Sequence, residues 1–502
     1  MNRLLASALV MLSLALPGHA ASTPRDASAP VLLRVANDAT VSFRLWFKVG
    51  AQDDPAGKEG LAAITAAMVS DGATRKNSYE QILDKLFPLA SSYNASASME
   101  MTVLSGRTHK DNLADFYPLL LDAALAPAFK QEDLDRIKSR TLNLLENTLQ
   151  FANDEELGKA VLYNEIFAGT AYGHITSGTV EAVKSITVED VRQFHATHYT
   201  RDNVVIGLGG GYDDALLARL KTDLRGLPEG KPAGVPAPQP KPVNGLEVIL
   251  VEKNAASTAI SMGFPIDVLR GSKEWYALAI ANSWLGEHRN SSSHLYQVIR
   301  ETRGLNYGDY SYIEHYPNGS QRTKPPQNVS RRRQIFEIWI RPVPNEARHF
   351  ALRAALREFH QLAERGMSRE DFELKRNFLK KYVLHYAPTT TERLAYALDD
   401  VFYGLDESHL AKFRRMMDEV TLEDVNAAIK KHWQTANMKI AIITKDAGGL
   451  ADQLATNAPS PITYPSPKPD PVLAEDKIIA AYPLKIKREN VKIVPVGELF
   501  AR

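Results

Sequence analysis

Residues 187–203 read TVEDVRQFHATHYTRDN, and residues 421–437 read TLEDVNAAIKKHWQTAN. Thr187, Glu189, Asp190, Val191, His198 and Asn203 recur as Thr421, Glu423, Asp424, Val425, His432 and Asn437, each pair 234 positions apart. An aromatic residue follows the histidine in both, Tyr199 and Trp433. Two further segments echo at similar spacing: Lys58-Glu59 with Lys273-Glu274, and Glu132-Asp133-Leu134 with Glu370-Asp371-Phe372. A shared offset with small drifts is what a duplicated domain with loop insertions leaves behind.

Working outward, residues 228–245 separate the copies. Pro228, Pro232, Pro236, Pro238, Pro240 and Pro242 fall there among Gly, Lys and Ala without an apolar period, the composition of an extended connector. The sequence therefore divides into a first half at 21–227, the linker at 228–245, a second half at 246–458 and a tail at 459–502. In the first half Val41, Phe43, Leu45, Phe47 and Val49 alternate with polar or aromatic neighbours, a period-2 strand. A helix is expected from about Gly60, a strand near Met99 to Leu104, and helices over 110–126 and 131–151. Another strand follows at Val204 to Leu208. The second half repeats this with strands at 258–264 and 439–444 and helices from Lys273 and Glu346. The expected fold is α+β: two homologous halves, each a mostly antiparallel sheet covered by helices, facing each other as a clam-shell. The Pro-rich tail, with a strand-like run from Val491 to Val496, reads as a wrap around the body or an arm for a partner.

Composition narrows the function. The 502 residues carry 60 Lys+Arg against 59 Asp+Glu, so the basic excess of a nucleic-acid or anionic-membrane binder is missing. Zero cysteines remove disulfides, thiolate nucleophiles and Cys-held metals. Arg3, the apolar run Leu4 to Leu16, and Pro17-Gly18-His19-Ala20 have the layout of a cleavable secretory signal over 1–20, too short for a membrane span. A periplasmic location is expected.

The first candidate site lies on the helix after the period-2 strand, Gly60-Leu61-Ala62-Ala63-Ile64-Thr65-Ala66-Ala67-Met68, preceded by the acidic turn Asp53-Asp54 and Gly57-Lys58-Glu59. The second is Tyr296-Gln297-Val298-Ile299-Arg300-Glu301-Thr302-Arg303-Gly304-Leu305-Asn306-Tyr307-Gly308. There, an apolar helix face (Leu295, Val298, Ile299) ends at Gly304, a left-handed stop, and a strand is expected from Tyr307. On these residues alone, Arg300 also suits a surface position at a helix C-terminus, and Tyr307 a half-buried strand tyrosine.

Over roughly residues 30–450 the chain resembles the pitrilysin/insulinase family of zinc peptidases. In that family the first helix carries His-x-x-Glu-His; the matching positions here are Ala63, Ala66 and Ala67, which supply neither lone pair nor carboxylate. A later helix carries the family's further zinc-binding glutamate, and Glu146 falls near that position. Without the histidines it reads as a helix-surface residue. Between residues 21 and 140 the one histidine is His109, so no displaced pair rebuilds the motif. The second segment resembles the family's Arg-x-x-x-Gly-Leu-x-Tyr, which implies that Arg300 and Tyr307 are the pair that reaches substrate. A guanidinium and a phenol can donate to peptide carbonyls and to a developing oxyanion. Without a zinc-bound hydroxide they do not hydrolyse an amide.

The resemblance implies a non-catalytic, substrate-binding subunit of a heterodimeric zinc endopeptidase degrading unstructured peptides, inactive alone. It would have no metal in this chain and a sister subunit holding zinc in an intact motif. The alternative is an inert scaffold or peptide-binding protein of the same fold. An autonomous hydrolase is disfavoured, since no compact Ser/His/Asp or His/Asp/Glu constellation occurs. Of the weaker features, His195 and His198 read as helix-end packing residues and Gly207 to Gly211 as a strand-to-helix turn. The insert around Arg322, Lys324 and Arg331-Arg332-Arg333 reads as a solvated loop, with contact to an acidic substrate or partner as the alternative.

Overall fold

Two sheets with the same strand order lie on either side of residues 228–245 in the computed structural model, which describes residues 28–501. The secretory-signal segment falls outside the described residues. The first sheet comprises β1 (Val31–Arg34), β2 (Thr40–Phe47), β3 (Ser92–Ala97), β4 (Thr102–His109) and β5 (Val204–Gly210), in the order β1-β5-β2-β4-β3. The second comprises β6 (Leu246–Glu252), β7 (Ser257–Ile266), β8 (Asp309–Tyr312), β9 (Gln334–Pro344) and β10 (Met438–Thr444), in the order β6-β10-β7-β9-β8. Replacing each strand of the first series by its counterpart in the second gives the same map. Among these ten strands pairing is antiparallel except for β1 with β5 and β6 with β10, and a sixth strand joins the second sheet beyond β6. The chain is thus α+β, with two mostly antiparallel sheets covered by helices.

The repeated peptide has a local cause. Thr187 and Thr421 each accept the N–H three residues on, from Asp190 and Asp424, and those carboxylates accept from the threonine's own N–H, closing a capping box. Asp190 also receives Lys58 at 2.9 Å, and Asp424 receives Lys273 at 2.7 Å. The echo between Lys58 and Lys273 is therefore one ion pair made twice.

Each sheet buries one face against helices of its own half and the other against a helix lent by the opposite half. Helix Asp154–Ile166 of the first half lies on β7 and β10, where Leu157, Val161, Leu162 and Ile166 meet Val251, Ala259, Ala441 and Ile443. Helix Thr390–Phe402 of the second half lies on β1, β2 and β5, where Leu394, Leu398 and Val401 meet Val31, Trp46, Val103 and Val205. This exchange corrects two readings of the sequence. The alternating strand β2 is buried on both faces, since Ser42 bonds Thr391 at 2.7 Å and Trp46 packs on Phe402. Gly207 and Gly209 are strand residues rather than a turn. A Cβ at Gly209 would stand 3.3 Å from Leu394 and Thr390, so glycine admits the crossing helix. Gly158 serves the reciprocal contact, its Cβ position lying 3.4 Å from Ser261.

The single strand expected near residues 99–104 is a hairpin, β3 and β4. Ser-Tyr-Asn-Ala-Ser-Ala gives β3 little strand propensity, and its ladder with β4 supplies the order. The strand expected from Tyr307 begins at Asp309, and its four residues are all buried, since β8 packs on helix Lys273–Gly286 and on Trp339.

The tail wraps the body. Helix Asp470–Ala480 packs on helix Arg348–Arg365, fastened by Arg303, which donates to Asp476 (2.8 Å) and Glu475 (2.9 Å). Strand β11 (Val491–Pro495) then adds in parallel to β6. Beyond it the chain crosses to the first half, where Phe500 is buried beside helix Asp154–Ile166. The carbonyls of Phe500 and Ala501 accept the first N–H groups of helix Val180–Ser185 at 2.8 and 3.0 Å.

Candidate functional site

Helix Leu61–Ser70 starts where the acidic turn dictates. Asp54 accepts the N–H groups of Gly60 and Ala62, both at 2.7 Å, so it caps the helix from outside. Gly60 adopts φ +98°, and a Cβ there would stand 2.8 Å from the Ser177 carbonyl oxygen, so the position takes glycine. The helix turns Ala63 toward a cavity between the halves, leaves Ala67 half-buried and sinks Ala66 into the core. The three positions that the resemblance aligns with the zinc motif carry only methyl groups. Glu146, on the π-helical segment Leu144–Ala152, is half-buried and ion-paired with Lys184 at 3.1 Å. Among the described residues no group of three or more His, Cys, Asp or Glu could hold a metal ion. These residues do not fit zinc.

Arg300 closes the π-helical segment Tyr296–Glu301, ion-paired with Glu301 and lying over the Tyr296 ring at 5.0 Å. Gly304 ends that turn at φ +70°, its N–H bonded to the Arg300 carbonyl at 2.7 Å. Tyr307 follows, 78% exposed. Neither side chain lines the cavity that Ala63 faces.

That cavity measures about 560 Å³, and both halves contribute to it. Its wall carries Arg322 and Arg331 of the segment read in the sequence as a solvated loop, with Arg332 and Arg333 next to Arg331 in the chain. Arg331 is buried, and its guanidinium lies 4.8 Å from the Tyr172 ring centroid and 5.5 Å from that of Tyr163. Arg332 crosses to the first half: its backbone N–H donates to Glu100 at 2.7 Å, its side chain pairs with the same carboxylate, and Tyr172 donates to it as well. Arg333 pairs with Asp267 and donates to the linker at Pro238 (3.1 Å) and Gln239 (2.8 Å). The segment is a loop as read, but it is not fully solvated, because Arg331 is buried and the carboxylate that draws in Arg332 stands 232 residues away.

A second inter-half pair lies deeper. Lys159 stands 3.6 Å from Glu337, both buried, and donates to the Tyr316 carbonyl at 2.6 Å. Its ammonium sits over the rings of Tyr312 (4.6 Å) and Trp339 (4.8 Å), while Tyr163 donates to Glu337 at 3.1 Å. Burial raises the Glu337 carboxyl above its usual range, and the Lys159 charge opposes that shift. Neither residue belongs to a motif, so sequence reading missed them. His195 and His198 pack as expected. His195 stacks on Tyr199 at 4.6 Å and His198 on Phe194 at 4.4 Å, and burial lowers both imidazoles to about 4.

The fold and this site define a duplicated two-sheet α+β scaffold in which helix Leu61–Ser70 carries no His, Cys, Asp or Glu. Residues 31–179 match the model of the insulinase family, peptidase family M16, and residues 185–379 match the peptidase M16 inactive domain. The chain belongs to the M16 family, as a member of the inactive type. It is similar to the non-peptidase homolog YmxG of Helicobacter pylori, 24% identical over 84% of this chain and 92% of that protein. It is also similar to an uncharacterized zinc protease of Streptomyces coelicolor, 22% identical over 70% of this chain and 75% of that protein. Among solved structures, an M16 inactive domain from Pseudomonas fluorescens superposes with a TM-score of 0.72 at 24% identity, covering 82% of this chain and 94% of that one.

Proposed function

We propose that this chain is the non-catalytic, substrate-binding subunit of a heterodimeric zinc endopeptidase that degrades unstructured peptides in the periplasm. In this reading Arg300 and Tyr307 complete the zinc site of a sister subunit with an intact His-x-x-Glu-His. The observation that carries it is the combination of three alanines at the metal positions with an Arg/Tyr segment that avoids the chain's own cavity and exposes Tyr307. The phenol is free to meet a surface outside this polypeptide, and Arg300 can exchange Glu301 for a substrate carbonyl. The similarity to a non-peptidase homolog supports the loss of independent hydrolysis.

The test mixes this chain with a co-encoded sister subunit and follows cleavage of an unstructured peptide. Hydrolysis by the mixture alone, reduced at least tenfold by Arg300→Ala or Tyr307→Phe, is the expected result. Unchanged hydrolysis in both variants would transfer the assignment to an inert scaffold. The pairing of Arg300 with Glu301 and its packing on Tyr296, a purely structural role, favour that second reading.

A further inference from the structure

The cavity between the halves has an unbalanced charge. Four cationic side chains line it, Arg44, Lys159, Arg322 and Arg331, against one carboxylate, Glu156. Most of these groups are committed. Glu156 accepts the Asn318 N–H at 3.0 Å, Lys159 faces Glu337, and Arg322 donates to the Pro317 carbonyl at 3.0 Å. Arg331 is different. It is 2% exposed, its guanidinium makes no hydrogen bond or ion pair among the described residues, and its Nε and Nη1 are buried without an acceptor. Glu100, whose charge reaches it, is already engaged by Arg332 and Tyr172. Arg44 also leaves Nε unpartnered, while its Nη1 donates to Asn328 at 2.7 Å.

An uncompensated buried cation costs several kcal/mol, and the rings of Tyr163 and Tyr172 recover only part of it. A planar guanidinium with free N–H groups on an aromatic floor is suited to a carboxylate. The volume suits a few residues of extended peptide rather than a folded domain. We infer that the cavity receives an acidic peptide, with Arg331 binding a Glu or Asp side chain and Arg44 adding a second positive charge beside it. This adds to the substrate-binding role proposed above, on which it rests, a peptide contact separate from Arg300 and Tyr307, and names the substrate class by its charge.

The test is calorimetry on this chain alone with three Ser/Gly decapeptides carrying four Glu, four Gln or four Lys, and with citrate. The Glu peptide is expected to bind at least tenfold more tightly than the Gln peptide, with affinity falling as salt rises, and the Lys peptide not to bind. Arg331→Met is expected to abolish that preference without lowering the melting temperature, because it removes a buried guanidinium that no hydrogen bond or ion pair among the described residues holds. Should that variant not fold, Arg44→Gln must weaken the Glu peptide at least threefold. Equal binding of the Glu and Gln peptides, an unchanged preference in Arg331→Met, or an unchanged affinity in Arg44→Gln would overturn the inference. Citrate binding as tightly as the Glu peptide would overturn the peptide assignment in favour of a small polyanion. No sister subunit takes part, so the outcome is independent of the cleavage assay. Acidic binding without cleavage by the mixture sinks the subunit reading alone, and cleavage without acidic preference sinks this one alone.

Discussion

Glu100, in the loop between β3 and β4 of the first sheet, accepts the backbone N–H of Arg332 at 2.7 Å from the second half and pairs with its side chain. The carboxylate is 3% exposed, so removing it leaves the buried Tyr172 hydroxyl without its acceptor and takes the ion pair from Arg332, which keeps its bond to Gln52 at 3.0 Å. Glu100→Ala is expected to lower unfolding free energy by about 2–4 kcal/mol. A double-mutant cycle with Arg332→Ala should give a coupling of about 1–3 kcal/mol by urea denaturation. Additivity of the two substitutions would show that the halves do not depend on this latch.

The crossing helices allow a steric test. Gly209→Val places new carbon where Leu394 and Thr390 already stand at 3.3 Å. Overpacking of this kind costs about 1–3 kcal/mol. Faster amide exchange in residues 390–402 is the accompanying signature, and an unperturbed helix would refute the packing argument.

Phe500 fastens the tail to the first half. Phe500→Ala removes a 7%-exposed ring from the shared apolar layer and is expected to cost about 2–4 kcal/mol. The N–H groups of Val180 and Glu181, which donate to the last carbonyls, should exchange faster. Protection unchanged at those two amides would mean that the tail end is not docked in solution.

The buried histidines should oppose folding in acid. His195, His198, His288 and His349 are each lowered to about 4, with burial the leading cause, whereas an unfolded histidine titrates near 6.5. Between those values the unfolded chain binds more protons. Stability is therefore complete above about pH 6.5 and declines as pH falls toward about 4, on the order of 1–2 kcal/mol per histidine by pH 5. Asp53, raised to about 6 chiefly by burial, works the other way, adding stability as pH falls through 6, and burial also raises the carboxyls of Asp54, Glu100, Glu287, Asp309, Glu337 and Asp399, while it lowers His315 and His409 alongside the four histidines. The histidine share is therefore read from a variant: between pH 7.5 and 5, His195→Phe should lose less melting temperature than the parent chain. Parallel profiles for the two proteins would contradict the burial assigned to this ring.

Metal removal should leave this chain untouched. With alanine at 63, 66 and 67, EDTA is expected to change neither its melting temperature nor its far-ultraviolet spectrum. Stoichiometric zinc in the dialysed protein, measured by elemental analysis, would overturn the account of the degenerate helix.

What the sequence made legible was chemistry confined to short stretches. Thr187-x-x-Asp190 and its copy at 421 announce themselves because a capping box needs four consecutive residues. The stop at Gly304 and the empty metal helix are equally local. The cavity was not legible, since Lys159 meets Glu337, and Glu100 meets Arg332, across hundreds of residues. The arginine run misled for the same reason: its composition is that of a surface loop, and only tertiary packing supplies its carboxylates and rings. β3 escaped notice because its partner strand, rather than its own side chains, makes it a strand.

The reciprocal loan of helices Asp154–Ile166 and Thr390–Phe402 bears on origin and on engineering alike. Either half expressed alone would present a bare, greasy sheet to water and stick to whatever it met. A half-length ancestor could have solved that problem by embracing a twin about a twofold axis, each copy contributing the arm its mate lacked. Fusion of two such genes would then preserve an old dimer inside one polypeptide, and severing the chain at the proline-rich connector should yield fragments that reunite rather than fold apart.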